Sequence, residues 1–134
     1  MKVGIDDFRG SEYDEDILEM DYCFGQQEIN ICMYCSVEMT EELLSEVNQL
    51  LVKLEQYDSQ AKKYIAEELY EAYSQEVEGL SEQQFLSDLT LLSLYFTGNQ
   101  SVEFSYEGGE YFGDHILSIE MIEGKFDRYV AMNG

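Results

Sequence analysis

The sequence predicts an α+β domain: an antiparallel sheet of about five strands, in the order ββ-ααα-βββ, with three helices packed on one face. Three observations carry that prediction. Apolar residues alternate with period two in the early and late parts of the chain, they fall at helical spacing in the middle, and no proline interrupts either pattern. Strands separated by a block of helices are the pattern of an α+β fold.

The first sixteen residues carry Asp6, Asp7, Asp14, Glu15 and Asp16 without alternation and read as an acidic leader or an irregular edge. Ile17 to Phe24 reads as a first strand, with Gly25-Gln26-Gln27 as its turn. Ile29, Ile31, Met33, Cys35 and Val37 then share one face, while Glu28, Asn30, Cys32, Tyr34 and Ser36 share the other. That is a half-buried strand, and the two strands form a hairpin.

Thr40 suits an N-cap, and Met39 is placed to pack on Leu44 as a hydrophobic staple. Leu43, Leu44, Val47, Leu50, Leu51 and Leu54 make one apolar stripe. Asp58 or Ser59 is expected to cap a second helix carrying Ala61, Ile65, Leu69, Ala72, Tyr73 and Val77, with Gly79 ending it. Ser81 and Gln84 form a capping box, and Leu80 with Phe85 a staple. Phe85, Leu86, Leu89, Leu92 and Phe96 fill the buried side of the third helix, which Thr97-Gly98-Asn99 breaks.

Strand character then returns. Val102, Phe104 and Tyr106 alternate before a turn at Glu107-Gly108-Gly109. His115 to Ile122 is a strand with Leu117, Ile119 and Met121 on one face. Glu123-Gly124 is a tight turn, and Phe126, Arg128, Val130 and Met132 continue the alternation.

A chain of 134 residues, 45% hydrophobic, with 7 Phe and 11 Tyr, builds one core and is expected to form a single domain over residues 1–134. No run approaches the length needed to cross a bilayer, and the polar start does not read as a secretory signal, so a cytoplasmic location is expected. The charge excludes more. Asp and Glu total 29 against 7 Lys and Arg, a formal net charge of −22. Direct binding to nucleic acid or to an anionic membrane needs basic surface, so neither is expected. A cationic protein partner is favoured, because an acidic surface steers its approach.

Signals for catalysis are weak. Cys32 and Cys35 form a C-x-x-C, but in an alternating strand positions three apart point to opposite faces, and the thiols, with Cys23, read as core residues. His115 is the one histidine, and the triad logic finds no orienting partner for it. Asp14-Glu15-Asp16 lacks the alternating ligands and central glycine of a calcium loop. No glycine-rich phosphate motif is present. No catalytic residue, metal or cofactor is therefore expected. The more suggestive cluster is Tyr57, Tyr64, Tyr70 and Tyr73 among Glu67, Glu68 and Glu71, since carboxylates beside tyrosines suit Arg and Lys from a partner. Glu67, Glu68, Tyr70 and Glu71 are the expected partner-binding residues.

The stretch Tyr111-Phe112-Gly113-Asp114-His115-Ile116-Leu117-Ser118-Ile119, followed by Glu123-Gly124-Lys125, Ala131 and Gly134, resembles the closing motif of uncharacterised bacterial domain families. Such families resemble immunity proteins of polymorphic toxin systems, which neutralise a toxin by binding it. The resemblance implies a non-catalytic inhibitor and assigns Phe112, Gly113, His115 and Gly124 to the fold. Two other readings remain open: a nucleic-acid mimic that blocks a DNA- or RNA-binding protein, and an enzyme centred on His115.

Overall fold

Short turns between alternating segments make neighbouring strands pair antiparallel, and most of the sheet is built that way. The computed structural model describes residues 3–12, 16–34, 40–98, 100–108 and 115–133. These form strands β1 (Arg9–Gly10), β2 (Ile17–Phe24), β3 (Gln27–Tyr34), β4 (Thr90–Gly98), β5 (Ser101–Glu107), β6 (Ile116–Ile122) and β7 (Lys125–Asn133). Helices α1 (Thr40–Val52), α2 (Leu54–Glu76) and α3 (Glu82–Asp88) lie between β3 and β4. The strands follow chain order across one seven-stranded sheet, and every pair is antiparallel except β3–β4. That parallel joint needs a long crossover, which the three helices supply.

The α+β class is borne out, but among the described residues the sheet has seven strands and not about five. One extra strand is β1, drawn from the expected leader, where Arg9 and Gly10 pair with Glu19 and Leu18. Val3 is buried and its backbone N–H donates to Asn48 Oδ1 at 2.8 Å, so the start of the chain is tied to α1. The other extra strand is β4, from the segment expected to finish the third helix.

A register shift lies between Leu91 and Ser93, so Leu91 and then Leu94 and Phe96 point inward. The bulge stretches the alternation into a 2-3-2 spacing that imitates a helical stripe. Helix α3 stops at Asp88, seven residues long. Ser81 Oγ accepts from the Gln84 N–H at 3.1 Å as expected, but the Gln84 side chain donates forward to Asp88 at 2.9 Å, leaving the capping box half made.

Inward residues line up strand to strand. Met20 faces Ile31, Ile31 faces Leu94, Leu94 faces Phe104, Phe104 faces Ile119 and Ile119 faces Val130. Leu43, Val47, Leu54, Ala61 and Ile65 from the helices close over this row. The opposite face carries polar positions, among them Glu19, Cys32, Tyr95, Glu103 and Glu120 in register.

Helix α2 begins at Leu54, directly after a one-residue break at Lys53, so neither Asp58 nor Ser59 caps it. The apolar stripe runs through the junction, and Asp58 is buried inside the helix because Tyr106 and Lys62 satisfy its carboxylate. Ala72, expected on the buried side, is exposed. Cys35, Val37, Met39, Asn99, Gly109, Phe112, Gly113 and Asp114 lie outside the described residues, as do Asp14 and Glu15.

Candidate functional site

Two hairpin turns meet at one end of the sheet. The β4–β5 turn passes through Gln100, and the β6–β7 turn is the two residues Glu123 and Gly124 between the paired Ile122 and Lys125. Glu123 and Gly124 both have positive φ (53° and 83°), the left-handed pair that lets a two-residue turn follow the strand twist. Gln100 also has positive φ, 61°. The turns are tied together where the Glu123 N–H donates to the Gln100 carbonyl at 3.0 Å.

Facing these turns, α1 leaves a cleft of about 1000 Å³. Phe96, Val102, Met121 and Leu50 form its floor, with Tyr57 beside them from α2. Glu42 and Glu46, one helical turn apart on α1, and Glu123 supply carboxylates, and Lys53 is the one cationic lining residue among the described residues. Burial holds the Glu46 carboxyl above its ordinary range and the Glu42 charge adds to the effect, while a hydrogen bond from the Gln100 backbone opposes both. The lining is thus apolar below and acidic at the sides, the arrangement that accepts a cation carried on an apolar stem.

The residues expected from sequence lie elsewhere. Glu67, Glu68 and Glu71 are exposed on the C-terminal half of α2. Tyr70 turns inward: its hydroxyl donates to the Leu80 carbonyl at 2.8 Å and its ring meets Phe85 edge-on at 5.7 Å, which ties α2 to α3. Tyr64 and Tyr57 pack against Phe126 from the sheet. The three carboxylates therefore share a surface, and the tyrosines next to them are spent on packing.

A model of a family described as uncharacterized protein conserved in bacteria, DUF2262, matches residues 11–127. The chain belongs to the DUF2262 family. No curated protein and no solved structure matches it. Both the cleft and the α2 surface fall within the matched residues, so each belongs to the DUF2262 part of the chain.

A second polar assembly in this DUF2262 domain is buried between α2 and β5. The Tyr106 hydroxyl donates to Asp58 Oδ1 at 2.6 Å, and Lys62 Nζ lies 3.2 Å from Asp58 Oδ2. Burial, then the Asp58 charge and hydrogen bond, push the Tyr106 phenol well above its ordinary value. Tyr106 is fully buried, so the assembly pins the helix to the sheet and offers no access to a substrate.

His115 is exposed just ahead of β6. Cys23 and Cys32, expected in the core, are not core residues. Cys23 is exposed, and Cys32 sits half-buried on the polar sheet face with its Sγ 2.7 Å from Asn30 Oδ1. Burial and the Glu19 charge raise the Cys32 thiol to about 11, with Arg9 opposing them. Among the described residues no group of three or more His, Cys, Asp and Glu is placed to hold a metal, and no helix is long and apolar enough to cross a membrane.

Sequence reading missed the cleft because its walls come from distant segments. Glu42 and Glu46 at i,i+4 were a visible acidic face on α1, and Glu123-Gly124 a visible turn. Nothing in the sequence joined them.

Proposed function

We propose that this chain is a non-catalytic, cytoplasmic binding protein of immunity or inhibitor type, which neutralises a basic protein such as a bacterial toxin by covering its cationic surface. The observation that carries the proposal is the charge. With 29 acidic against 7 basic residues, no internal pairing can neutralise the surface. Two of the basic residues are already committed: Arg9 lies 3.3 Å from both Glu19 and Asp21, and Lys62 pairs with Asp58. An unbalanced field of this size costs folding stability and speeds encounter with a cation. Proteins that handle nucleic acid are cationic because they bind phosphate, so an acidic inhibitor gains both association rate and selectivity against them.

The test is capture from the native host at low and high salt, followed by an activity assay on whatever is recovered. A basic protein released by salt, and inhibited by the purified chain, supports the reading. Partners that are acidic, or that are held equally at high salt without loss of their activity, reject it. A captured protein that itself binds DNA or RNA, and is displaced by nucleic acid, would move the assignment to a nucleic-acid mimic.

A further inference from the structure

We propose that the cleft between α1 and the two hairpin turns seats an arginine-bearing loop of the basic partner, with Glu46 and Glu123 receiving the guanidinium and the apolar floor receiving its stem. The inference rests on the binding-protein reading and assigns that binding to one place on the surface.

The chemistry of the walls selects the occupant. Glu42, Glu46, Glu123 and Lys53 share the lining, three carboxylates to one ammonium, so among the described residues it is net negative by two. Phe96, Val102 and Met121 are almost fully buried at the base, and an apolar floor beneath carboxylates suits an amphipathic cation better than a hydrated metal ion. Among such cations a guanidinium fits best. Its planar fork bonds carboxylates in pairs, it is more weakly hydrated than an ammonium, and it stacks on aromatic rings such as that of Tyr57.

Size selects a loop over a free amino acid. The cleft holds about 1000 Å³, the upper end of the range for small-molecule sites, and has room for several residues around one anchoring side chain. The turn chemistry points the same way. Glu123 occupies a left-handed position where asparagine or glycine sits with less strain, so the carboxylate is held there at a conformational cost. The half-buried Glu46 carboxyl, already held above its ordinary range, gains most from a cation placed beside it.

The test is an NMR titration of the isotope-labelled chain with the capped peptide acetyl-Ala-Arg-Leu-Arg-Ala-amide at low salt, with spermidine titrated in parallel. Amide shifts are expected to cluster at Glu46, Gln100, Glu123 and Gly124. Glu46→Gln and Glu123→Asn should each weaken the peptide roughly fivefold to tenfold. Both variants should melt at or above the temperature of the parent chain, because one loses a half-buried charge and the other relieves the turn. Glu28→Gln, which removes an equal charge from an exposed position on β3, should change binding by about twofold at most.

Three results overturn the inference. In the first, shifts spread along Glu67, Glu68 and Glu71, about 20 Å from Lys53 along α2, and survive both cleft variants; the chain then binds cations, but not in the cleft, and the inhibitor reading stands. In the second, spermidine fills the cleft more tightly than the peptide does, and the occupant is a free polyamine. In the third, no saturable shift appears with either probe, and the cleft is not a cation site. Salt-dependent capture of a partner is measured separately, so failure of the cleft and failure of the inhibitor reading give different results.

Discussion

Tyr106 and Asp58 show how one hydrogen bond decides the fate of a buried charge. The carboxylate sits inside the core end of α2, where the Tyr106 hydroxyl at 2.6 Å and Lys62 at 3.2 Å make it tolerable. Tyr106→Phe keeps the ring and removes the donor, and should cost about 1–3 kcal/mol in urea denaturation, the penalty for a buried acceptor left short of a partner. The same residue sets an alkaline limit. Its folded-state proton is held above the ordinary phenol value of 10.0, so above that pH the unfolded chain releases a proton that the folded chain keeps. Stability is therefore fully present below about pH 10 and falls as pH rises beyond it, and Tyr106→Phe should flatten that fall. The thiols obey the same logic on the outer face. Cys32, raised to about 11 and half-buried, should alkylate more slowly at about pH 8 than exposed Cys23, as peptide mapping would read.

Among the elements, β4 is the one whose sequence misleads. Phe85, Leu89, Leu92 and Phe96 are spaced four, three and four apart, so the segment offers a helical stripe. Its strand identity comes from its neighbours: β3 on one side in parallel and β5 on the other, with a bulge at Leu92 resetting the phase. Pairing with β5 along most of β4 and with β3 over Ser93–Phe96 satisfies backbone groups within the sheet, which outweighs a local helical preference of a few tenths of a kcal/mol per residue. Leu94 stands in the middle of the inward row, fully buried between Ile31 and Phe104. Leu94→Ala should cost about 2–5 kcal/mol by denaturation. Ser81→Ala, which removes only the α3 cap, should cost about 1 kcal/mol.

At the scale of the whole molecule, net charge competes with a well-filled core. Among the described residues Asp58 is the one charged group buried in the core, so self-repulsion is the main electrostatic burden on the fold. Raising ionic strength from about 0.02 M to about 0.5 M shortens the screening length from tens of Å to a few Å and should raise Tm by several degrees in a calorimetric scan. A Tm that stays flat or falls with salt would mean that the native state is held by attractive pairs, contrary to this account. The same change should weaken a basic partner, so stability and binding are expected to move in opposite directions with salt.

The sequence alone determined the class of the fold, the β2–β3 hairpin with its Gly25 turn, the Ser81 cap, the inward faces of β5 and β6, and the Glu123-Gly124 turn. Each is written in residues close together in the chain, by alternation, capping chemistry or left-handed backbone. It also determined the charge. Tertiary structure alone decided that the leader adds a strand, that β4 is a strand, that Asp58 lies buried within α2, and that Glu46 and Glu123 face one cleft. Those outcomes depend on pairing and burial between segments dozens of residues apart, and no local period records which distant surface a residue will meet.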